Sequence, residues 1–180
     1  MISPTLQTER LLLRAYVLGD APELARLAGA REVAATTLRI PHPYSLAQAE
    51  AFIAQSQSGA DEDVRFAIVL RENSALLGGI GLRLQQEHRR AELGYWVGVP
   101  YWGKGYATEA ARAVLRYGFE GLKLHRIRAS HFTNNAASGR VLRKIGMKHE
   151  GRLPQHILKW GSYVDLELYG MLAGDLVASD

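Results

Sequence analysis

The segment Val97-Gly98-Val99-Pro100-Tyr101-Trp102-Gly103-Lys104-Gly105-Tyr106-Ala107-Thr108-Glu109-Ala110 constrains the fold of this chain more than any other. A β-type run over residues 91–97 stops at Pro100, and an Ala-rich helical pattern begins at Tyr106. The loop between them must turn strand into helix within a few residues. Gly103 and Gly105 supply the backbone freedom, and with Ala107 they let the main chain approach another group closely. The first N–H groups of the helix lack partners within it and point back into the loop, which makes an anion site suited to phosphate. Two common phosphate loops do not fit. Lys104 sits between the glycines and not after them, so the Walker pattern is absent. A dinucleotide-binding turn needs an acid about 20 positions on, at the end of the next strand. That strand reads Arg126-Ile127-Arg128-Ala129-Ser130-His131-Phe132 and carries none. A ligand with more phosphate charge than NAD fits better.

Periodicity and punctuation place the remaining elements. Residues 8–16 alternate as a first strand. Asp20-Ala21-Pro22-Glu23 reads as a capping box for a helix ending near Gly29, and Ser45-Leu46-Ala47-Gln48 as another for a helix to Ser58. Leu46, Ala49, Phe52 and Ile53 share a face of the latter. Residues 31–44 between the two helices read as irregular. Strands are predicted over 64–70, 75–84 and 90–97, joined by short turns and therefore antiparallel. Gly78, Gly79 and Gly81 signal a bulge or a close backbone neighbour in the second of these. A helix over 106–120 stops at Gly121, and a strand covers 126–132. A helix capped by Asn134 or Asn135 ends near Ile145 with Gly146 at its stop, and strands over 149–156 and 163–172 close the chain. The order β-α-α-β-β-β-α-β-α-β-β is mixed α/β. With 180 residues and 47% hydrophobic content the chain can bury one core, so residues 1–180 are read as a single domain.

Composition excludes several classes of chemistry. No cysteine is present, which removes disulfides, thiolate metal sites and cysteine nucleophiles. His42, His88, His125, His131, His149 and His156 lack metal-ligand spacing, so no metal is expected. No apolar run approaches the roughly 20 residues of a membrane span, and residues 1–10 lack signal-peptide order. A cytoplasmic protein without a membrane partner is expected. The net charge of +4 is modest and spread along the chain, as a polyphosphate binder would show; nucleic acid is not the expected partner.

Three stretches resemble the GNAT superfamily of acyl-CoA-dependent N-acetyltransferases. They are Glu92-Leu93-Gly94-Tyr95-Trp96-Val97, the loop Tyr101-Trp102-Gly103-Lys104-Gly105-Tyr106-Ala107-Thr108-Glu109-Ala110, and Asn135-Ala136-Ala137-Ser138-Gly139-Arg140-Val141-Leu142-Arg143-Lys144-Ile145-Gly146-Met147. The opening Leu6-Gln7-Thr8-Glu9-Arg10-Leu11-Leu12-Leu13-Arg14 and the closing Gly161-Ser162-Tyr163-Val164-Asp165-Leu166-Glu167-Leu168-Tyr169 are similar to the group that includes the RimJ/RimL-type ribosomal-protein N-terminal acetyltransferases. The resemblance implies a largely antiparallel central sheet, flanked by helices, in which the 91–97 and 126–132 strands splay apart. It implies acetyl-CoA as co-substrate, its pantetheine arm lying in the gap against the backbone of Val97 and Val99. Its pyrophosphate would rest on the N–H groups of Trp102, Gly103, Lys104, Gly105, Tyr106, Ala107 and Thr108. Trp102 departs from the Gln or Arg usual at that position, and the backbone cradle survives the change.

The resemblance also implies the reacting groups. Amine acetylation needs a neutral amine, a stabilised carbonyl oxygen and a proton for the departing thiolate. Glu92 is the candidate base, acting directly or through water; its alternative is an exposed strand carboxylate facing Arg90 or Arg83. Ser138 matches the serine that hydrogen-bonds the CoA sulfur, against the plainer reading of a first-turn serine bonded to backbone. Asn135 combines a helix cap with a cofactor contact. Lys104, Arg140, Arg143 and Lys144 suit CoA phosphates or a solvated surface. The segment after Glu150-Gly151 lacks the acid that ribosomal-protein acetyltransferases can carry there, and the acceptor contacts are expected from segments 31–44 and 151–161. The leading function is therefore an acetyl-CoA-dependent N-acetyltransferase working in a ternary complex. Its acceptor is a protein N-terminal α-amine, a ribosomal protein's included, or a small-molecule amine. A non-catalytic acyl-CoA-binding module and a ribosome- or RNA-associated protein are the alternatives. Monomer and homodimer stay open.

Overall fold

The computed structural model describes residues 4–58 and 63–178, so the start of the 1–10 segment discussed above lies outside the described residues. Two short strands, Leu6–Gln7 (β1) and Leu11–Arg14 (β2), replace the single strand expected over 8–16. Thr8 reverses the chain between them: its N–H donates to the Leu11 carbonyl at 2.9 Å, and its Oγ1 accepts the Leu11 N–H at 3.0 Å. Three helices follow, Ala21–Ala28 (α1), Arg31–Thr36 (α2) and Leu46–Ser58 (α3).

The two expected capping boxes part ways. At α3 the box forms, with Ser45 N–H on Gln48 Oε1 at 2.8 Å and Gln48 N–H on Ser45 Oγ at 3.2 Å. At α1 it does not. Asp20 is instead gripped by both terminal nitrogens of Arg14, at 2.7 and 2.8 Å, and accepts the Val17 N–H, while Glu23 pairs with Arg26 at 2.7 Å. A bidentate charge-assisted pair outcompetes a neutral N–H for the carboxylate. Helix α2 corrects the irregular reading of 31–44: it buries Val33 and Ala34, and Thr36 and Thr37 hydroxyls bond back to the Val33 carbonyl. On α3, Ala49 and Ile53 are buried as expected, but Leu46 is half exposed.

Val64–Leu70 (β3), Leu76–Gln85 (β4) and Arg90–Val97 (β5) form the expected antiparallel meander. Both readings of the β4 glycines hold. The register with β3 shifts between Ile68 and Val69, opposite Gly78 and Leu76. A Cβ on Gly78 would lie 2.8 Å from Val97 Cα, and one on Gly79 would meet the Tyr16 hydroxyl and, at 2.7 Å, Trp96 Nε1. Helix Tyr106–Arg116 (α4) widens into a π turn over Tyr117–Gly121, with Leu122 N–H on the Tyr117 carbonyl, where a plain helix to 120 was expected. Arg126–Phe132 (β6) leads to Ala136–Lys144 (α5). Asn135 caps α5 by accepting the Ser138 N–H. Gly146 at φ 86° ends it, with Met147 N–H on Leu142 O and Gly146 N–H on Arg143 O. The last two strands, Lys148–Lys159 (β7) and Ser162–Leu172 (β8), run longer than expected because Trp160 and Gly161, both at positive φ, make a two-residue hairpin turn.

Among the described residues, eight strands form one sheet in the order β1-β2-β3-β4-β5-β6-β8-β7, antiparallel throughout except where β6 meets β5. Helix α4 and Leu142 of α5 pack on the face bearing Leu11, Phe66, Leu82, Leu93 and Ile127. Helices α1 and α3 pack on the other face, against Ala67, Val69, Leu76 and Trp96.

Candidate active site

The parallel contact of β5 with β6 is brief. Arg90, Ala91 and Glu92 pair with Arg126, Ile127 and Arg128, and beyond Glu92 the strands splay apart. Strand β6 stays paired with β8 to Phe132, and β5 with β4 to Val97, so the gap opens between two strands each held on its far side. Gly98 N–H donates to the Leu77 carbonyl at 2.8 Å. By the alternation of an antiparallel ladder, the backbone groups of Val97 and Tyr95 therefore face the gap. Trp102 reaches back to this edge: its indole Nε1 donates to the Val97 carbonyl at 2.6 Å. The residue that departs from the family pattern thus keeps a side-chain donor and uses it to tie the loop to the strand. Val99 is not a continuation of β5. It opens a 3-10 turn, and its carbonyl accepts the Trp102 N–H at 3.2 Å.

Gly103 and Gly105 adopt φ of 75° and 82°, left-handed values that residues with a Cβ reach only at a cost. Gly105 is the N-cap of α4 and contributes no side-chain cap, and the first helical bond runs from Glu109 N–H to the Gly105 carbonyl. The N–H groups of Tyr106, Ala107 and Thr108 precede that bond and are directed out of the helix end. Lys104 Nζ lies 5.9 Å from the Tyr101 ring centroid, within the loop.

Residues far away in sequence hold this loop. Arg10 Nε donates to Glu109 Oε2 at 2.7 Å, Arg10 NH1 to the Lys104 carbonyl at 3.0 Å, and Thr8 Oγ1 to Glu109 Oε1 at 2.6 Å. The Arg10 guanidinium also sits 4.6 Å from the Tyr106 ring centroid. Partial burial pushes the Glu109 carboxyl up, but hydrogen bonds from Thr8 and Arg10 outweigh it and hold the group below the usual carboxylate range. The sequence patterns did not single out Arg10 and Glu109 as the pair that holds the loop. The available signal was the Thr8-Glu9-Arg10 run ahead of an apolar strand.

Ser138, in the first turn of α5, lies across the gap from β5. Its Oγ is 2.7 Å from the Tyr95 hydroxyl, which is also 3.3 Å from the Ser138 carbonyl. Burial pushes the Tyr95 phenol up to about 12, against a smaller lowering by its Ser138 hydrogen bond. Tyr95 is a third residue that the sequence patterns did not single out. Asn135 is committed to the Ser138 N–H at 3.1 Å.

Glu92 occupies the last β5–β6 pair, opposite Arg128 and, on its other side, Arg83. It alternates with buried Leu93 and so points to the α1/α3 face, where its Oε2 lies 3.2 Å from Arg128 NH2. Glu92 and Ser138 therefore flank the gap from opposite faces and do not touch. Arg143 turns away to the Tyr169 hydroxyl at 3.0 Å, while Arg140 and Lys144 are exposed. The two segments expected to meet an acceptor come together: Lys159 Nζ donates to the Thr37 carbonyl at 2.7 Å, and the Arg31 guanidinium lies 5.3 Å from the Trp160 ring centroid. His42 is 6.1 Å from Trp160, centroid to centroid, and His156 is exposed on β7. A cavity of about 410 Å³, lined by His131, Gly139, Arg143, Glu167 and Tyr169 among others, lies on the far flank of α5 and includes none of the loop residues.

Residues 10–148 match the family described as acetyltransferase (GNAT) domain. The uncharacterized N-acetyltransferase YoaA of Bacillus subtilis (strain 168) is 35% identical over 179 residues, covering 94% of this chain and 97% of its own. Among solved structures, a GNAT-family acetyltransferase from Bacillus anthracis superposes with a TM-score of 0.86 at 29% identity, over 95% of this chain and 99% of the other. RimJ of Mycobacterium smegmatis, in complex with CoA-disulfide, gives a TM-score of 0.84 at 23% identity, over 98% and 94% of the two chains. At that identity the likeness is one of fold.

Proposed function

The chain belongs to the acetyltransferase (GNAT) family, and from that premise we propose that residues 1–180 act as one N-acetyltransferase domain of the RimJ/RimL-like group. It transfers acetyl from acetyl-CoA to a primary amine, with a protein N-terminal α-amine as the acceptor class. The observation that carries this reading is the meeting, at one mouth, of an uncapped helix start at Gly105 with the β5 edge at Val97, which β6 leaves unpaired and Trp102 ties to the loop. The N–H groups of Tyr106, Ala107 and Thr108 suit a pyrophosphate, and the Val97 N–H suits the thioester carbonyl oxygen as it gains charge.

Both faces of the gap take part. Ser138 donates a hydrogen bond toward the departing sulfur on the α4/α5 face. Glu92, on the opposite face, takes the ammonium proton through water. Glu92 lies against Arg128 at 3.2 Å, and acceptors that are already partly neutral ask the least of it. At pH 7.5 about a third of an α-amine is neutral, against about 0.1% of a lysine side chain. That difference supports the α-amine acceptor, and ribosomal-protein N-terminal peptides are its natural first panel.

Thiol release from acetyl-CoA, followed with an aryl disulfide, tests the reading cleanly because the chain has no cysteine of its own. Release should depend on an α-amine peptide and exceed that with Nα-blocked lysine peptides. CoA binding without release to any amine would leave a non-catalytic acyl-CoA-binding module instead.

A further inference from the structure

We propose that Tyr95 is the positioning residue for Ser138: its phenol donates to Ser138 Oγ across the splayed strands and so directs the serine hydrogen to the CoA sulfur. This rests on the reading above, in which the gap receives the thioester.

A serine in a helix commonly satisfies its hydroxyl by donating to a carbonyl three or four residues back, and such a hydroxyl is unavailable to a ligand. Ser138 is arranged otherwise. Its N–H goes to the Asn135 side chain, and the contact of its Oγ among the described residues is the Tyr95 hydroxyl at 2.7 Å. At that distance either oxygen could donate, and the direction follows from the chemistry of the two hydroxyls. The Tyr95 hydroxyl also lies 3.3 Å from the Ser138 carbonyl, which can only accept. A phenol is the more acidic of the two hydroxyls and the poorer acceptor, its lone pair being delocalised into the ring, so its single proton goes to the nearer Ser138 Oγ, and the carbonyl stands as a second, longer acceptor. A hydroxyl that accepts at one lone pair points its own hydrogen elsewhere, and acceptance polarises that O–H into a better donor.

Position gives the bond its use. Tyr95 lies beyond Glu92, where β5 and β6 have separated, on the same face as buried Leu93 and Val97. Its phenol therefore crosses from the β5 edge to the start of α5 at the level where the strands no longer hold each other. Burial keeps the phenol protonated throughout the neutral range, so it serves as a permanent donor and not as the acid.

The bookkeeping of the transfer closes without a proton from Tyr95. The amine nitrogen bonds the acyl carbon, the C–S bond breaks, and its electron pair goes to sulfur. Nitrogen loses its proton to water or Glu92. The thiolate leaves hydrogen-bonded to Ser138 and takes its proton from water, while Ser138 and Tyr95 keep theirs.

The test reads the thiolate of bound CoA. With protein in excess over CoA, the pH dependence of its reaction with an aryl disulfide gives the pKa of the bound thiol. Tyr95→Phe should raise that pKa by about one unit, roughly tenfold less thiolate at a fixed pH below it, as loss of a hydrogen bond to a charged group implies. Ser138→Ala should raise it similarly, and the double variant no further. In turnover, Tyr95→Phe should lower kcat about tenfold with KM for acetyl-CoA unchanged. Site-specific 3-fluorotyrosine at 95, a stronger donor of nearly the same shape, should lower the thiol pKa, which a passive strut would not do. It also covers the case in which Tyr95→Phe fails to fold. A Tyr95→Phe thiol pKa equal to wild type, or additive effects of the two substitutions, would overturn the proposal. Wild-type protein that shifts the CoA thiol but acetylates no amine would refute the transferase reading alone; no CoA binding would refute both.

Discussion

Gly105 and Gly161 offer a matched pair for separating backbone strain from ligand clearance. Both hold φ at 82°. A Cβ on Gly105 would meet only the Arg10 guanidinium, at an ordinary 3.4 Å, and one on Gly161 would meet nothing within 4 Å. Valine at either position therefore carries the same left-handed backbone cost, about 1–2 kcal/mol, and its Cβ overpacks nothing at either. For a chain of this size that corresponds to a fall in Tm of about 2–8 °C. Ligand consequences differ. Gly161 turns the β7–β8 hairpin, whereas Gly105 immediately precedes the free N–H groups of α4. A pyrophosphate oxygen must come within about 3 Å of those nitrogens, and the valine methyl groups stand in its approach. Losing two charge-assisted hydrogen bonds costs about 3–6 kcal/mol, which is more than a hundredfold in CoA affinity. Calorimetric titration with CoA, beside thermal melts of both variants, decides the matter. Gly105→Val with wild-type affinity would refute the phosphate cradle. Equal affinity losses in the two variants would show that strain alone is responsible.

Other consequences are as direct. Glu92→Gln should lower kcat several-fold while CoA affinity stays at wild type; an unchanged kcat would move the base elsewhere. Gly139→Ala places a Cβ 2.7 Å from His131 Nε2 and 3.2 Å from its Cε1. Helix α5 must shift, with about 1–3 kcal/mol of lost stability measurable by urea denaturation, and kcat should fall more than CoA affinity because Ser138 moves with the helix. Burial pushes the Asp20 carboxyl up, but the Arg14 and Val17 hydrogen bonds outweigh it, and the folded-state pKa lies below the usual value. Its stabilisation is therefore present above the unfolded-state pKa and is lost as pH falls through the folded value. Asp20→Asn should cost about 3 kcal/mol at pH 7 and show a shallower loss of stability on acidification than wild type.

What was legible in the chain was what local chemistry decides. The Ser45–Gln48 box, the Asn135 cap, the Gly146 stop and the glycine loop each involve groups within a few residues of one another, and each stands where the pattern placed it. Local signals failed where a distant partner competed for the same atoms. Asp20 had the spacing of a cap, but a guanidinium from β2 claimed its carboxylate. Glu109 closes the loop motif with no local partner to mark it, yet Thr8, 101 positions earlier, and Arg10, 99 positions earlier, make it the anchor of the loop. Tyr95 carried no local mark of a role because its partner, Ser138, belongs to a helix on the other side of the gap. The splay itself explains why these residues matter. Where β5 and β6 part, no backbone ladder fixes the distance between them, so the relation of the loop, the acyl edge and Ser138 depends on side chains: Trp102 to Val97, Arg10 to Glu109, and Tyr95 to Ser138. A binding gap opened by giving up strand pairing must be held by such tertiary contacts, and no periodicity in the sequence encodes them.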